Sequence, residues 1–267
     1  MKKLFTLITI TALSLGAYAQ KEINFKVDYK PNSTYVINMD MNMDMEIKSM
    51  SEEGGEPFNQ EMDMGFVYTL KTAAAKGNVV PFTAQMSVDS PLLGEVAEKM
   101  SEFKFYGKFV SNQPQIDSVY SPGMGKDAAD DKMKEAMANM LNQFPVTDKK
   151  MKIGDSFTSK KIPMNVGGGL NLGENLDTSV TYTLKKIEGK KAYFDMLMDS
   201  PLDISKEGLE MKGNMKFTGQ MVYNTETQFT ESQNMDLTAG FKMDTKGMQM
   251  DMKMTGTNTI TTKITPN

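Results

Sequence analysis

The chain has 267 residues with a formal net charge of −4, no His and no Cys, and 27 Met against 16 Leu. Lacking His and Cys, it has neither the commonest general base nor the thiolate nucleophile nor the two strongest side-chain ligands for zinc, which excludes most familiar hydrolases and metalloenzymes. Acidic and basic residues are interspersed, so nucleic acid is not an expected partner.

The first residues, "MKKLFTLITITALSLGAYAQ", combine a basic start at Lys2 and Lys3, an apolar run, and small residues at Ala17 and Ala19. This is the pattern of a secretory signal peptide over 1–19. The expected product is exported, periplasmic or extracellular. Its apolar run is short of the roughly 20 residues of a membrane-spanning helix, and no later stretch supplies one. Without Cys there is no lipid anchor through that residue and no disulfide framework, so a core must carry stability.

"MDMNMDMEI" places Met39, Met41, Met43, Met45 and Ile47 at every second position, alternating with Asp40, Asn42, Asp44 and Glu46. On a helix these methionines would scatter around the circumference, whereas on a strand they form one stripe. The pattern predicts an antiparallel strand with one apolar and one wet face. After the loop at 49–57 the alternation returns at Met62, Met64, Phe66 and Tyr68. Ser90-Pro91 precedes a weak helical pattern at Leu92, Val96 and Met100. Apolar residues Met133, Met137, Met140, Leu141 and Phe144 then recur at helical spacing and Pro145 ends the run, which predicts an amphipathic helix over 127–143. Strands return at Met215, Phe217, Met221 and Tyr223, at Met235, Leu237, Phe241 and Met243, and at Met248, Met250, Met252 and Met254. Asp244-Thr245-Lys246-Gly247 makes a hairpin turn between the last two.

The chain reads as a duplication. "YTLKTAAAKGNVVPFTAQMSVDSPL" (68–92) lies over "YTLKKIEGKKAYFDMLMDSPL" (182–202), and "FKFYGKFVSN" (103–112) over "MKFTGQMVYN" (215–224). The weak starts of the two units are Lys30 to Tyr35 and Ile153 to Phe157. The expected fold is mainly β (α+β): a duplicated antiparallel meander forming a strongly curved sheet, half-barrel or barrel-like sandwich, with one amphipathic helix between repeats. Residues 20–267 would be a single β-rich domain of two repeats, about 23–125 and 146–265, joined by helix 127–143, with a helical or loop insertion after each Ser-Pro.

Short motifs carry little chemistry. Asp40, Asn42 and Asp44 fit the first positions of a calcium loop, but Met45 and Ser51 stand where Gly and Glu belong. Ser101-Glu102-Phe103-Lys104 has acyl-transferase spacing without the partner motif. Gly167-Gly168-Gly169 lacks the Lys-Ser/Thr of a phosphate loop and reads as a hairpin tip.

"FPVTDKKMKIGDSF" (144–157), following the amphipathic helix and opening the second unit, resembles a motif of an uncharacterised family of secreted bacterial proteins in which a Pro and a Gly-Asp-Ser-Trp-like sequence recur. Phe157 stands where that family has Trp. The resemblance implies a fold and a compartment and brings no catalytic residue. On architecture alone, a bent apolar-lined sheet is also similar to the half-barrels that carry lipoproteins and lipids across the periplasm.

Methionine is flexible and polarizable, and an interior built from it is adaptable, which suits apolar ligands of variable shape. The expected function is therefore non-enzymatic, without catalytic residues or cofactor: binding of a hydrophobic, lipid-like molecule in a Met-rich interior. The expected lining is Met39, Met41, Met43, Met64, Phe66, Met215, Phe217, Met221, Met243, Met250 and Met252. Two alternatives stand beside it. One is a structural or interaction module whose Met-rich core is solid. The other is a Met-only Cu(I)-binding protein, since thioether is a soft ligand.

Overall fold

The architecture is that of a computed structural model, which describes residues 22–49, 57–91, 94–121, 125–126, 134–135, 137–138, 141, 148–159, 165–166, 170–171, 179–206, 209–245 and 248–267. The expected signal peptide and most of the loop tips lie outside these. Its strands are β1 (Glu22–Phe25), β2 (Ser33–Ser49), β3 (Phe58–Thr72), β4 (Val79–Asp89), β5 (Lys104–Val110), β6 (Gln113–Ser121), β7 (Gly125–Lys126), β8 (Lys149–Lys152) and β9 (Ser156–Thr158). They continue with β10 (Asn165–Val166), β11 (Leu170–Asn171), β12 (Thr181–Glu188), β13 (Lys191–Lys206), β14 (Leu209–Asn224), β15 (Phe229–Thr245) and β16 (Met248–Pro266). One short helix, α1 (Glu95–Ser101), falls among them.

The chain is mostly β, and twelve strands form one antiparallel sheet in the order β7-β6-β5-β4-β3-β2-β16-β15-β14-β13-β12-β9. The sheet is not closed into a barrel, and it is not two facing sheets. β16 pairs along the whole of β2, from Pro266 opposite Ser33 to Met250 opposite Ser49, so the C-terminal meander continues the N-terminal one edge to edge. β15 and β16 pair up to Thr245 opposite Met248, while Lys246 and Gly247 of the expected hairpin turn lie outside the described residues. Tyr68 to Lys71 lies in β3 and Tyr182 to Lys185 in β12, each followed by a run of consecutive antiparallel strands.

The helices differ from expectation. α1 follows Ser90-Pro91 and covers the edge of β4 left free beyond its pairing with β5: the Ser101 hydroxyl accepts the Val88 N–H at 3.0 Å and donates to the Ala97 carbonyl at 2.9 Å. No insertion follows the second Ser-Pro, because β13 runs straight through Ser200-Pro201 to Lys206. Beyond Leu197 that side of β13 has no strand partner among the described residues, the edge setting that suits a Pro within a strand. Of 127–143 only Lys134, Glu135, Met137, Ala138 and Leu141 are described; they are helical, with Met137 and Leu141 buried.

The inside of the sheet is filled by its own N-terminus. Ile23, Phe25, Val27 and Tyr29 are all buried. The Tyr29 ring stacks on Phe109 of β5 at 4.0 Å between centroids, and Phe25 packs on Phe157 of β9 at 5.0 Å. Those two strands stand nine places apart in the sheet, which in a flat sheet would be about 43 Å. Four residues of extended chain span at most about 14 Å. The sheet must therefore curl around the segment. Inward-facing glycines permit the curl: a Cβ on Gly213 would run into the Gly240 carbonyl, and one on Gly256 into the carbonyl of Asn42.

Residues 26–30 are not in a strand, and their buried backbone is paired by tyrosine hydroxyls. Tyr223 accepts the Lys26 N–H and donates to the Lys26 carbonyl at 2.6 Å, and Tyr35 accepts the Lys30 N–H at 2.6 Å. Tyr29 donates to the Leu141 carbonyl at 3.1 Å, tying in the helical residues. The β8-to-β9 turn lies alongside. β8 pairs with β1, Gly154 has a φ of 97°, the Asp155 carboxylate accepts the Lys152 N–H at 2.8 Å, and Phe157 stacks on Tyr182 at 4.9 Å. Gly154, Asp155 and Phe157 of this Gly-Asp-Ser-Phe run thus each have a structural task.

Truncating Phe25 to Ala removes a ring packed on Phe157, Phe194 and Tyr223, and should lower stability by about 3–5 kcal/mol, measured by urea unfolding. Burial pushes the Tyr29, Tyr68 and Tyr182 phenols well above their ordinary value, and it raises Tyr35 to about 12 against the lowering hydrogen bond from Lys30. A phenol raised in the folded state holds its proton longer there than in the unfolded chain. Stability should be constant with respect to these groups below pH 10 and fall steadily from about pH 10 towards 12 and beyond. A rise in the urea midpoint across that window would contradict the assignment.

Candidate functional site

Directly paired residues share a face of a sheet, so the register identifies what lines the inside. Met39 pairs with Phe66 and Ile260; Met41 with Met64 and Asn258; Met43 with Met62 and Gly256; Met45 with Met254; and Ile47 with Met252. On the next strands Met250 pairs with Met243, Met243 with Met211, Leu237 with Phe217, and Gln233 with Met221. All eleven residues expected to line an interior lie on this one face.

The face is not uniform along the strands. Nearest the N-terminal segment it is closed: Tyr35, Leu70, Phe194, Met221 and Tyr223 have no more than 1 % of their surface exposed. Further along β2, β3, β15 and β16 it opens. Met41, Met43, Met45, Met62, Met64, Met235, Met243, Met250, Met252 and Met254 are only half-buried, together with Phe66, Phe217, Leu237 and Phe241. On the flanking strands β13 and β14 the face is covered again, with Met198, Met211 and Met215 buried.

The expected residues therefore divide. Met39, Met215 and Met221 belong to the buried core. Met221 is fully buried, with its sulfur accepting from the Thr230 hydroxyl and the Gln233 amide at 3.5 and 3.6 Å. Met41, Met43, Met64, Phe66, Phe217, Met243, Met250 and Met252 form the half-open surface. Met45, Met62 and Met254 line it equally and were signalled by the same alternation. Gln233, Asn258 and Thr262 had no signal, because only the register places them inward.

The open face is electrically neutral. Inward positions from Tyr35 to Ile47 on β2, Phe58 to Thr72 on β3, Gln233 to Met243 on β15 and Met250 to Ile264 on β16 include no Asp, Glu, Lys or Arg. Charges lie on the other face. Asp40, Asn42 and Asp44 occupy the middle of β2 there, in an extended strand and not a loop. Groups with shifted pKa values are the buried tyrosines, driven up by burial, and ion-paired residues such as Glu46 with Lys48 and Lys191 with Glu231. Among the described residues no group of three or more acidic side chains is arranged to hold a metal ion. Ser101 is engaged at the end of α1, and Lys104 begins β5.

Two depressions lie outside the main Met surface or at its margin. One of about 570 Å³ is lined by Lys71, Thr83, Tyr106 and Asp117 among others, at the ends of β3 to β5. The second, about 260 Å³, lies between Met243 and Met250 and the charged tips Glu210, Lys212, Lys242 and Asp244. Among the described residues the Met surface is half-buried along β2, β3, β15 and β16, in the form of an open trough.

No family model matches the chain, and no curated protein matches it. The resemblance of 144–157 to a secreted family rests on sequence alone. Among solved structures, similarity extends to an outer membrane channel from Pseudomonas putida F1 at 8% identity and a TM-score of 0.23, covering 89% of this chain and 97% of that one. It extends also to OpdQ of Pseudomonas aeruginosa at 8% and 0.26, covering 87% and 98%. A Bacteroides fragilis protein described as exported, with a YmcC-like fold, is similar at 7% and 0.17, covering 86% and 96%. Likeness of this size fixes neither the fold nor the function of this chain. No helix among the described residues is long and apolar enough to cross a membrane, which leaves open any crossing by strands.

Thioethers on the open surface should oxidise before buried ones. In dilute hydrogen peroxide, peptide mass spectrometry should find sulfoxide at Met41, Met43, Met64, Met250 and Met252 at least several-fold sooner than at Met151 and Met221, which are fully buried. Equal rates would mean that the trough is closed in solution.

Proposed function

We propose that this is an exported, non-enzymatic β protein whose curled sheet, of half-barrel form, takes a hydrophobic, lipid-like molecule along the Met-lined trough. One observation carries the reading: a charge-free apolar face continues without a break from a closed aromatic core into a half-open surface made mostly of methionine. Exposed apolar surface of this extent on one concave face marks a binding site more often than an accident. Burial of apolar ligand area stabilises the complex by about 25 cal/mol per Å², and flexible thioethers adapt to alkyl chains of different shape. Export is supported by the leader-like 1–19.

A Cu(I) reading has its own support. Met41, Met43, Met62 and Met64 form a two-by-two block across β2 and β3, so neighbouring strands supply the convergence that one strand lacks. The solid-core alternative is favoured by Met151, Met196, Met198, Met211 and Met221, all buried.

Three measurements separate these readings. Native mass spectrometry of protein recovered from the exporting cell should show bound lipid, and the neutral dye Nile red should bind. A carboxylate buried without a partner is costly, so Met64→Glu should weaken dye binding about tenfold or more while Thr257→Glu, on the opposite face, leaves it unchanged. A clean apo mass with no dye uptake sinks the carrier reading in favour of a solid module. Retention of stoichiometric Cu(I) against a chelator under reducing conditions would instead support the metal reading.

A further inference from the structure

Three buried side-chain oxygens on the inner face have no partner among the described residues: Thr262 Oγ1, beside Ile37 nearer the core, and Ser90 Oγ and Asn258 Oδ1, which share one row. Asn258 lies between Met41 on β2 and Met235 on β15. Its Oδ1 is buried and has no hydrogen-bond partner among the described residues. Ser90 follows Asp89, which pairs with Gly65, so it continues the register beside Met64. Ser90 is 5 % exposed and its Oγ is likewise without a partner. Since Met64 pairs with Met41, one cross-strand row reads Ser90, Met64, Met41, Asn258, Met235. This row is the boundary of the trough: Met39 and Ile260, one step towards the core, are buried, and Met43 and Met62, one step outwards, are half-buried.

Buried polar groups are almost always paired, and an orphan is expensive to keep. Two of the three orphans, Ser90 and Asn258, sit where a closed core meets an open apolar surface, at the inner end of a trough. An amide oxygen can only accept, while a hydroxyl can accept or donate. Whatever satisfies Asn258 must bring an O–H or N–H. An anionic head is excluded by the same surroundings, because no inward residue of these strands carries a positive charge to offset its desolvation.

We infer that the trough takes a neutral single-chain amphiphile whose hydroxyl or amide head donates to Asn258, with the alkyl chain lying outwards along Met43, Met45, Met62 and the tips of β2 and β3. Met41 and Met64 move aside to admit the head, as unbranched side chains with three rotatable bonds can. From Met41 to Ile47 the strand offers about 20 Å of apolar track, which suits a long alkyl chain. The inference rests on the carrier reading, and names the chemistry of its ligand.

The test uses the full chain and three probes of one chain length, hexadecan-1-ol, its methyl ether and palmitate, each displacing Nile red. One hydrogen bond between neutral groups leads to a preference of about fivefold for the alcohol over the ether, with palmitate weakest at pH 8. In Asn258→Leu the alcohol and the ether should converge in their ability to displace the dye. Equal displacement by alcohol and ether in the unaltered protein overturns the donor requirement and leaves the trough standing. Palmitate as the strongest competitor overturns the exclusion of anions. If Nile red does not bind at all, the carrier reading fails and this inference goes with it. The decisive comparison is made on the unaltered protein, so it does not depend on the variant folding.

Discussion

The fold depends on the burial of residues 22–30 against both arms of the sheet. Tyr29 touches β5 and Phe25 touches β9, strands that an extended sheet would keep far apart. Holding them together forces the curl, and the curl creates an inside. Aromatic rings give the contact area, and tyrosine hydroxyls give the hydrogen bonds that a buried irregular segment needs. Val27 and Ile23 are buried with them. Without that segment the apolar face of twelve strands would have only itself to pack against.

The same constraint explains why methionine changes character along a strand. Where the N-terminal segment fills the curl, Met221 is enclosed and bonded through its sulfur, doing the work that Leu does in other cores. Where β2, β3, β15 and β16 extend past the end of that segment, the identical alternation lines a half-buried surface with no described residue packed rigidly over it. A stiff, branched residue at Met43 or Met62 would leave a fixed apolar wall. An unbranched one leaves a wall that rearranges, at a cost in packing specificity that an unfilled trough can bear. Row by row, β2 thus passes from Tyr35 in the solid core to Met45 at a yielding surface within a few residues.

Neutrality of the inner face is as informative as its greasiness. Acids and lysines are abundant in the chain, yet on the central strands they fall on the outward positions, for example Asp40, Asp44 and Lys253 against Met39, Met45 and Met254. A face without charge can hold only molecules or segments without charge. Gln60, Gln233 and Thr262 also interrupt its apolarity, but Asn258 and Ser90 share the row at the inner end of the trough and give the surface a polar point there.

Much of this was written in the local pattern. Period-two alternation at 39–47, 62–68 and 248–254 determined strands, their faces and the identity of the residues that point inward, because a strand alternates whatever it pairs with. The alternation of Ile23, Phe25, Val27 and Tyr29 was equally legible, but their role was not, since nothing local tells a strand in the sheet from a segment inside it. Tertiary structure decided that the two halves join through β2 and β16 into one open sheet, that the second Ser-Pro carries no insertion, and which methionines are core and which are surface. It also set Asn258 beside Met41, more than two hundred positions away in sequence. Such facts depend on long-range register and on where the filling segment ends, and neither is encoded in the neighbourhood of any one residue.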